Sequence, residues 1–316
     1  MTEGPPAIPV TGAQYEISGE GYRAIATELG AGLRLLEYRG QPILAGYQAD
    51  ELPPGAAGQL LAPWPNRIDG GRYAFGGSWH QLDLSEPARG NAIHGLTRWA
   101  AWQVSSRSAS AVTLSCLLAG RPGYPFCLSM SVRYRIGADG LDVTTTARNA
   151  GTRPAPYGTG QHPYLAAGAT TVDDCELTVP AARWLPADER GIPSAPPRDV
   201  GGTPYDFRQP RQIGGTVLDH ALTGLAAGGD GRVRVVLRCP GAAGAAGHAV
   251  TLWAGQGYRW LQVYTGDTLA PDRQRRGLAV EPMTCPPNAF RDGTDVLTLV
   301  PGASVTHQWG ISARPA

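Results

Sequence analysis

The 316-residue chain is 42% apolar and 17% charged with a formal net charge of +1. That balance suits a globular protein with a sizeable core and gives no electrostatic case for nucleic acid or an anionic membrane as partner. All 27 basic residues are arginine, which excludes Schiff-base aldolases, pyridoxal-phosphate enzymes and Walker-type phosphate loops, all of which need a lysine amine.

The opening MTEGPPAIPVTG lacks the basic start and apolar core of a signal peptide, and no apolar run approaches the roughly 20 residues that span a bilayer. A cytoplasmic protein is expected. APWPNRIDGG (62–71) places Asn66 and Arg67 among glycines and prolines. RYAFGGSWHQL follows as a predicted hairpin turning at Gly76–Gly77. EPARGNAIHGLTRW (86–99), again rich in site-type residues, carries His94. SVRYRI and LDVTTTARN alternate as half-buried strands, with Arg133 and Arg135 on a solvated face.

In GTGQHPYL (158–165), Pro163 stiffens the chain and pushes His162 toward extended geometry, fixing a titratable ring at a strand end. Residues 186–204 are rich in proline and glycine and read as a long loop. RVRVVLR sets Arg232, Arg234 and Arg238 on another solvated stripe, and CPGAAGAAGH (239–248) reads as a low-complexity hairpin tip. RWLQVYTGD puts Trp260, Gln262 and Tyr264 on one face, an aromatic–amide–aromatic surface suited to a sugar. In AVEPMTCPPNAF, Glu281 lies within an apolar strand, where desolvation raises a carboxyl pKa unless a cation or donor compensates.

No amphipathic helix of about ten residues is found, and no interdomain linker. The expected fold is all-β: one large antiparallel β-sandwich over residues 1–316. The cysteines (Cys116, Cys127, Cys175, Cys239, Cys285) are odd in number and never spaced CxxC, so they are expected to be small buried hydrophobes and not disulfides or zinc ligands. GxSxG, HExxH, GxGxxG and paired-histidine metal spacings are absent, so no metal and no organic cofactor is expected.

Six motifs, in order, carry a resemblance. They are Asn66-Arg67-Ile68 with the Gly-x-Tyr-x-Phe hairpin, Asn91-Ala92-Ile93-His94-Gly95, His162-Pro163-Tyr164, Asp219-His220, Gln262-x-Tyr264-Thr265-Gly266, and Glu281-Pro282 before Pro287-Asn288-Ala289. From about residue 15 to 312 the chain resembles the aldose 1-epimerase (galactose mutarotase) family, and EPARGNAIHGLTRW looks most like its bacterial branch. The resemblance implies a supersandwich with His162 as general acid and Glu281 as general base. It further implies sugar binding by Asn66, Arg67, His94, Asp219 and Gln262, with Tyr164 lining the pocket. Leu165 and Cys285-Pro286 depart from the family pattern and leave the aldose unspecified.

The implied reaction opens the ring of a free aldose and recloses it on the other face of C1. Activity should rise as Glu281 ionises and fall as His162 loses its proton. The expected partner is a small sugar alone, with the protein a monomer or homodimer. The rival readings are a hexose-phosphate 1-epimerase with an arginine cluster at the cleft rim, a non-catalytic sugar-binding protein, and a glycoside hydrolase using Glu281 and Asp219.

Overall fold

Alternation decides which face of each long strand meets the core. In the computed structural model, which describes residues 8–168, 171–241 and 247–315, strand Leu128–Gly137 buries Leu128, Met130, Val132, Tyr134 and Ile136. It turns Arg133 and Arg135 outward. Strand Val233–Cys239 likewise exposes Arg234 and Arg238. Both arginine stripes lie on the wet side of one nine-stranded sheet whose centre is Leu128–Gly137, Gly140–Asn149, Ser304–Pro315, His248–Ala254 and Val233–Cys239.

The facing sheet has eight strands. It runs from Arg198–Asp199 through Ala181–Leu185, Asp219–Leu225, Trp260–Tyr264 and Gly277–Met283 to Gly160–Gln161 and Leu60–Leu61, with Tyr164–Ala166 also on Gly277–Met283. A four-stranded sheet, Gln14–Gly19 to Gln41–Pro42, completes the large sheets. Every strand pairing described is antiparallel. Val132, Tyr134, Leu252 and Trp309 of one sheet share a hydrophobic cluster with Leu222, Leu261, Val263, Leu278 and Val280 of the other. That is the expected β-sandwich. Among the described residues the only α-helix is the four-residue Ala289–Asp292, and no helix is long and apolar enough to cross a membrane.

The hairpin turns where expected: Phe75 pairs Ser78, and Gly76 and Gly77 take φ of 59° and 77°. The 186–204 segment is irregular apart from an Ala187–Pro193 bridge and Arg198–Asp199, which pairs with Ala181–Leu185. The 239–248 tip is closed by the Cys239–His248 pair, while residues 242–246 lie outside the described residues.

The cysteines require a correction. Cys175 and Cys239 are joined by a disulfide, and Cys116, Cys127 and Cys285 are free. Glu176–Thr178 and Val233–Cys239 are neighbours with Glu176 opposite Arg238, so the next positions outward, Cys175 and Cys239, face each other with Cα atoms 4.3 Å apart. A pairing across 64 residues of chain follows from sheet register, which cysteine spacing does not contain.

Candidate active site

Strand Gly277–Met283 is buried at all seven positions, as befits a central strand covered on both faces. Leu278 and Val280 point into the core, which sends Ala279 and Glu281 to the opposite, concave face. On one side Glu281 is paired with Gln262, and Gln262 with Ala221. On the other side Gly160 pairs Met283 and Tyr164 pairs Ala279. The same register carried between those two pairs sets His162 opposite Glu281.

Pro163 interrupts the ladder there, because it has no N–H to give. The backbone of His162 bonds instead to the far neighbour. Its N–H donates to the Gln59 carbonyl at 3.2 Å, and its carbonyl accepts from the Gly58 N–H at 2.8 Å. One row of side chains on one face therefore reads Gln59, His162, Glu281, Gln262.

Nε2 of His162 lies 3.2 Å from Oε1 of Glu281, and both side chains are almost wholly buried. Tyr164 stacks on His162 at 5.0 Å between centroids and 20° between planes, and its hydroxyl donates to the Gly55 carbonyl at 3.2 Å. His94 meets the other side of His162 edge-on at 5.4 Å. A cavity of about 610 Å³ opens over this row, and its lining includes all eight residues expected from the sequence: Asn66, Arg67, His94, His162, Tyr164, Asp219, Gln262 and Glu281.

The supporting backbone is strained. Asn66 and His94 take φ of 54° and 62°, in the left-handed region that non-glycine residues rarely occupy. Two bonds hold them: the Arg67 N–H donates to Asn66 Oδ1 at 2.9 Å and the His94 N–H donates to the Asn66 carbonyl at 2.9 Å. Gly95 then passes so close to Ala62 that a Cβ would lie 2.0 Å from its carbonyl oxygen. The Pro287-Asn288-Ala289 motif braces the same segment, since Asn288 N–H donates to the Arg67 carbonyl and Asn288 Oδ1 accepts from the Asp69 N–H.

Two expectations are revised. Trp260 does not line the cavity; it packs with Leu185, Ala221 and Met283 and donates its indole N–H to Asp295. Arg67 is not free to turn its whole guanidinium to a sugar. Nε and Nη2 grip both carboxylate oxygens of Glu86 at 2.8 and 2.9 Å, leaving Nη1. Burial alone would lower the Arg67 pKa, but Glu86 outweighs it and holds the guanidinium above its ordinary value. Gln262 is oriented the same way, by donating to Asp219 Oδ1 at 2.7 Å.

The electrostatics differ from a near-neutral histidine beside an ionised carboxylate. Burial, reinforced by the charges of Arg98 and Arg67, pulls His162 down to about 3. Burial, with Asp219 nearby, pushes Glu281 well above the ordinary carboxylate range, and Arg67 opposes this. Both shifts favour a proton shared by the pair resting on the Glu281 side over an imidazolium facing a carboxylate. His94 is lowered too, first by burial and then by His162, Arg98 and Arg67, so it presents a neutral imidazole.

The other halves of these groups are unspent. His94 Nδ1, His162 Nδ1, Gln262 Oε1 and Glu281 Oε2 are buried without a protein hydrogen-bond partner. Buried polar atoms without partners are costly, and a polyol brings donors and acceptors together. No cluster of three metal-ligating side chains occurs among the described residues.

Sequence reasoning assigned no role to Glu86 or Arg98, although both lay in the EPARGNAIHGLTRW stretch, and it passed over Gln59 in GAAGQLL, which carries no local signal. Leu52, Pro53 and Thr268–Leu269–Ala270 (268–270) also line the cavity from loops.

A family model described as aldose 1-epimerase matches residues 13–312. The uncharacterized protein YihR of Escherichia coli K12 is 37% identical over 293 residues, 92% of this chain and 90% of that one. The aldose 1-epimerase of the same organism is 30% identical over 192 residues, and mouse galactose mutarotase 29% over 178, so the matches span about half of each. A GalM/aldose epimerase homologue from Caenorhabditis elegans superposes with a TM-score of 0.84 at 19% identity, covering 96% of this chain and 99% of that one. Galactose 1-epimerase from Lactobacillus acidophilus gives 0.78 at 19% identity, with 96% and 95% covered. At those identities the superpositions speak for the fold.

Proposed function

Because the chain belongs to the aldose 1-epimerase family, we propose that it interconverts the α and β anomers of an aldose, with His162 and Glu281 as the acid–base pair. The observation that carries this reading is the buried 3.2 Å contact between His162 Nε2 and Glu281 Oε1 inside the cavity. Ring opening needs a proton delivered to the ring oxygen while another leaves the C1 hydroxyl. Those two oxygens share one carbon, so acid and base must stand side by side, as opposed positions on neighbouring strands do.

One proton serves the pair. Passing it from Glu281 to His162 across the contact creates the imidazolium acid and the carboxylate base; the charge of Arg67 favours the carboxylate half and opposes the imidazolium half. The open chain rotates about the C1–C2 bond, recloses, and the transfers reverse. Arg67 Nη1, His94, Asp219 and Gln262 are placed to hold hydroxyls and keep C1 over the pair, with Tyr164 fixing the imidazole plane. A glycoside hydrolase using Glu281 and Asp219 is disfavoured by the immediate imidazole partner of Glu281 and by Asp219's bond to Gln262. We take the protein to act in the cytoplasm on a small sugar, as a monomer or homodimer.

Polarimetry on freshly dissolved α-glucose, α-galactose and α-xylose tests the proposal. Catalysed equilibration of at least one, unchanged by chelator, is expected. No acceleration of any, or loss in chelator that a divalent ion restores, would contradict it.

A further inference from the structure

Next to His162, on the side away from Glu281, the row of side chains begins with Gln59, which is completely buried. Its amide clamps Arg98 at two points, donating to the Arg98 carbonyl at 2.9 Å and accepting from Nε at 3.1 Å. Arg98 and the 50% exposed Trp99 line the same cavity as the acid–base pair, with the guanidinium 4.8 Å from the indole centroid. Among the described residues no carboxylate pairs with Arg98, whereas Arg67 across the cavity already has a carboxylate partner, Glu86, on Nε and Nη2. Arg89 lines the cavity as well, also without an ion pair among the described residues.

We propose that Arg98 is a specificity-determining residue that receives an anionic group carried by the sugar away from C1 (a phosphate, a sulfate or sulfonate, or a carboxylate), held in place by Gln59. This rests on the cavity being the aldose site. A guanidinium fixed through Nε presents its two η nitrogens as a fork, the geometry that oxyanions accept bidentately. A partly buried cation without a counter-ion is costly; here burial pulls the Arg98 pKa down to about 10. An anionic substituent would relieve that cost, which a neutral hexose cannot do.

The coupling runs on to the chemistry. Arg98 is, after burial itself, the first charge that disfavours protonation of His162. Neutralising it with the substrate's own anion returns proton affinity to the imidazole. The shared proton then moves from Glu281 toward the position the acid role requires. The charge on the substrate thus prepares the catalyst as well as anchoring the sugar.

The test compares kcat/KM, above the uncatalysed rate, for glucose, glucose 6-phosphate, glucose 6-sulfate and glucuronate by NMR anomer exchange, with binding measured by calorimetry. At least one anionic sugar should exceed glucose by tenfold or more in the native protein, and the three anions separate phosphate, sulfate and carboxylate recognition. Arg98→Met should cut that ratio by about 10–100-fold, the size of a charge-assisted hydrogen bond. Gln59→Glu, which supplies Arg98 with an internal carboxylate, should cut it as well. The native preference should weaken with added salt.

Equal treatment of all four sugars by the native protein, or a preference that survives Arg98→Met, would overturn the proposal. Should either variant fail to fold, calorimetry on the native protein still decides, since preferential binding of glucose by comparison with every anionic sugar also refutes it. Preferential binding of an anionic sugar with no interconversion of any sugar would support Arg98 as anion anchor while refuting the epimerase reading, so the two claims fail separately.

Discussion

A proton shared between His162 and Glu281 titrates as a property of the pair. The residue-by-residue expectation was an acid limb from Glu281 and an alkaline limb from His162. With His162 lowered to about 3 and Glu281 raised, the limbs exchange. Below about 3 a second proton enters and removes the base; above the raised value of Glu281 the only proton leaves and removes the acid. Burial, then the charges of Arg98 and Arg67 at His162 and of Asp219 and Arg67 at Glu281, set those limits. A kcat/KM profile is expected whose acid limb lies below the ordinary glutamate value of 4.5 and whose alkaline limb is set by the raised Glu281. Limbs near 4.5 and 6.5 would mean two independent groups.

The same shift predicts stability. Burial raises Glu281 in the folded state relative to the unfolded chain, so this group's contribution is full below its ordinary 4.5 and lost as pH rises through the folded value. Glu281→Gln should therefore melt above the native protein at pH 7, with the advantage fading below pH 4.5. A variant that melts lower at pH 7 would show the carboxylate ionised and satisfied. At this scale the sequence pointed to eight of the lining residues, by motif order. It could not reveal that Arg67 is half committed to Glu86 or that Gln59 holds Arg98, because those partners come from loops and edges meeting in space.

The elements explain why these side chains converge. Glu281 and Gln262 lie on neighbouring strands, Gln59 and His162 lie one position beyond the strands Leu60–Leu61 and Gly160–Gln161 in the same register, and Asn66 and His94 directly flank two short strands, Arg67–Asp69 and Asn91–Ile93. Strand alternation and the hairpin at Gly76–Gly77 were legible because each is encoded within about ten residues. The left-handed backbone at Asn66 and His94 was not, since only its contacts impose it. Gly95, with φ of 74° and its Cα against Ala62, is the point where that backbone is most vulnerable. Gly95→Ala should cost at least about 1–3 kcal/mol from the left-handed conformation alone, and activity should fall beyond the loss of folded fraction because His94 moves. Native melting with native turnover would show that the close approach is dispensable.

The Cys175–Cys239 link joins neighbouring strands of the nine-stranded sheet. Thiol titration of unreduced, denatured protein should find three reactive cysteines, and Cys239→Ala should cost about 2–4 kcal/mol. Five reactive thiols would place the pair in the reduced state. Disulfides persist chiefly in oxidising compartments, so this titration also bears on the expectation of a cytoplasmic protein.

For the molecule as a whole, the all-β reading rested on recurring alternation and the absence of amphipathic helices, and the sandwich follows it closely. Two large sheets share one core, leaving the outer face of the eight-stranded sheet to carry chemistry. Sequence patterns identify the sheet strands but give no strand order, and it is strand order that sets Glu281 between His162 and Gln262. The central claim is that this adjacency makes and breaks the bond between C1 and the ring oxygen. Its most direct test is anomer exchange at saturating sugar for the native protein, His162→Gln, Glu281→Gln and the double variant, with sugar binding measured in each. The account predicts that each single change costs about 10²–10⁴-fold, that the double variant loses little more than either single one, and that all four still bind sugar. Near-native exchange by His162→Gln, or losses that multiply, would contradict it.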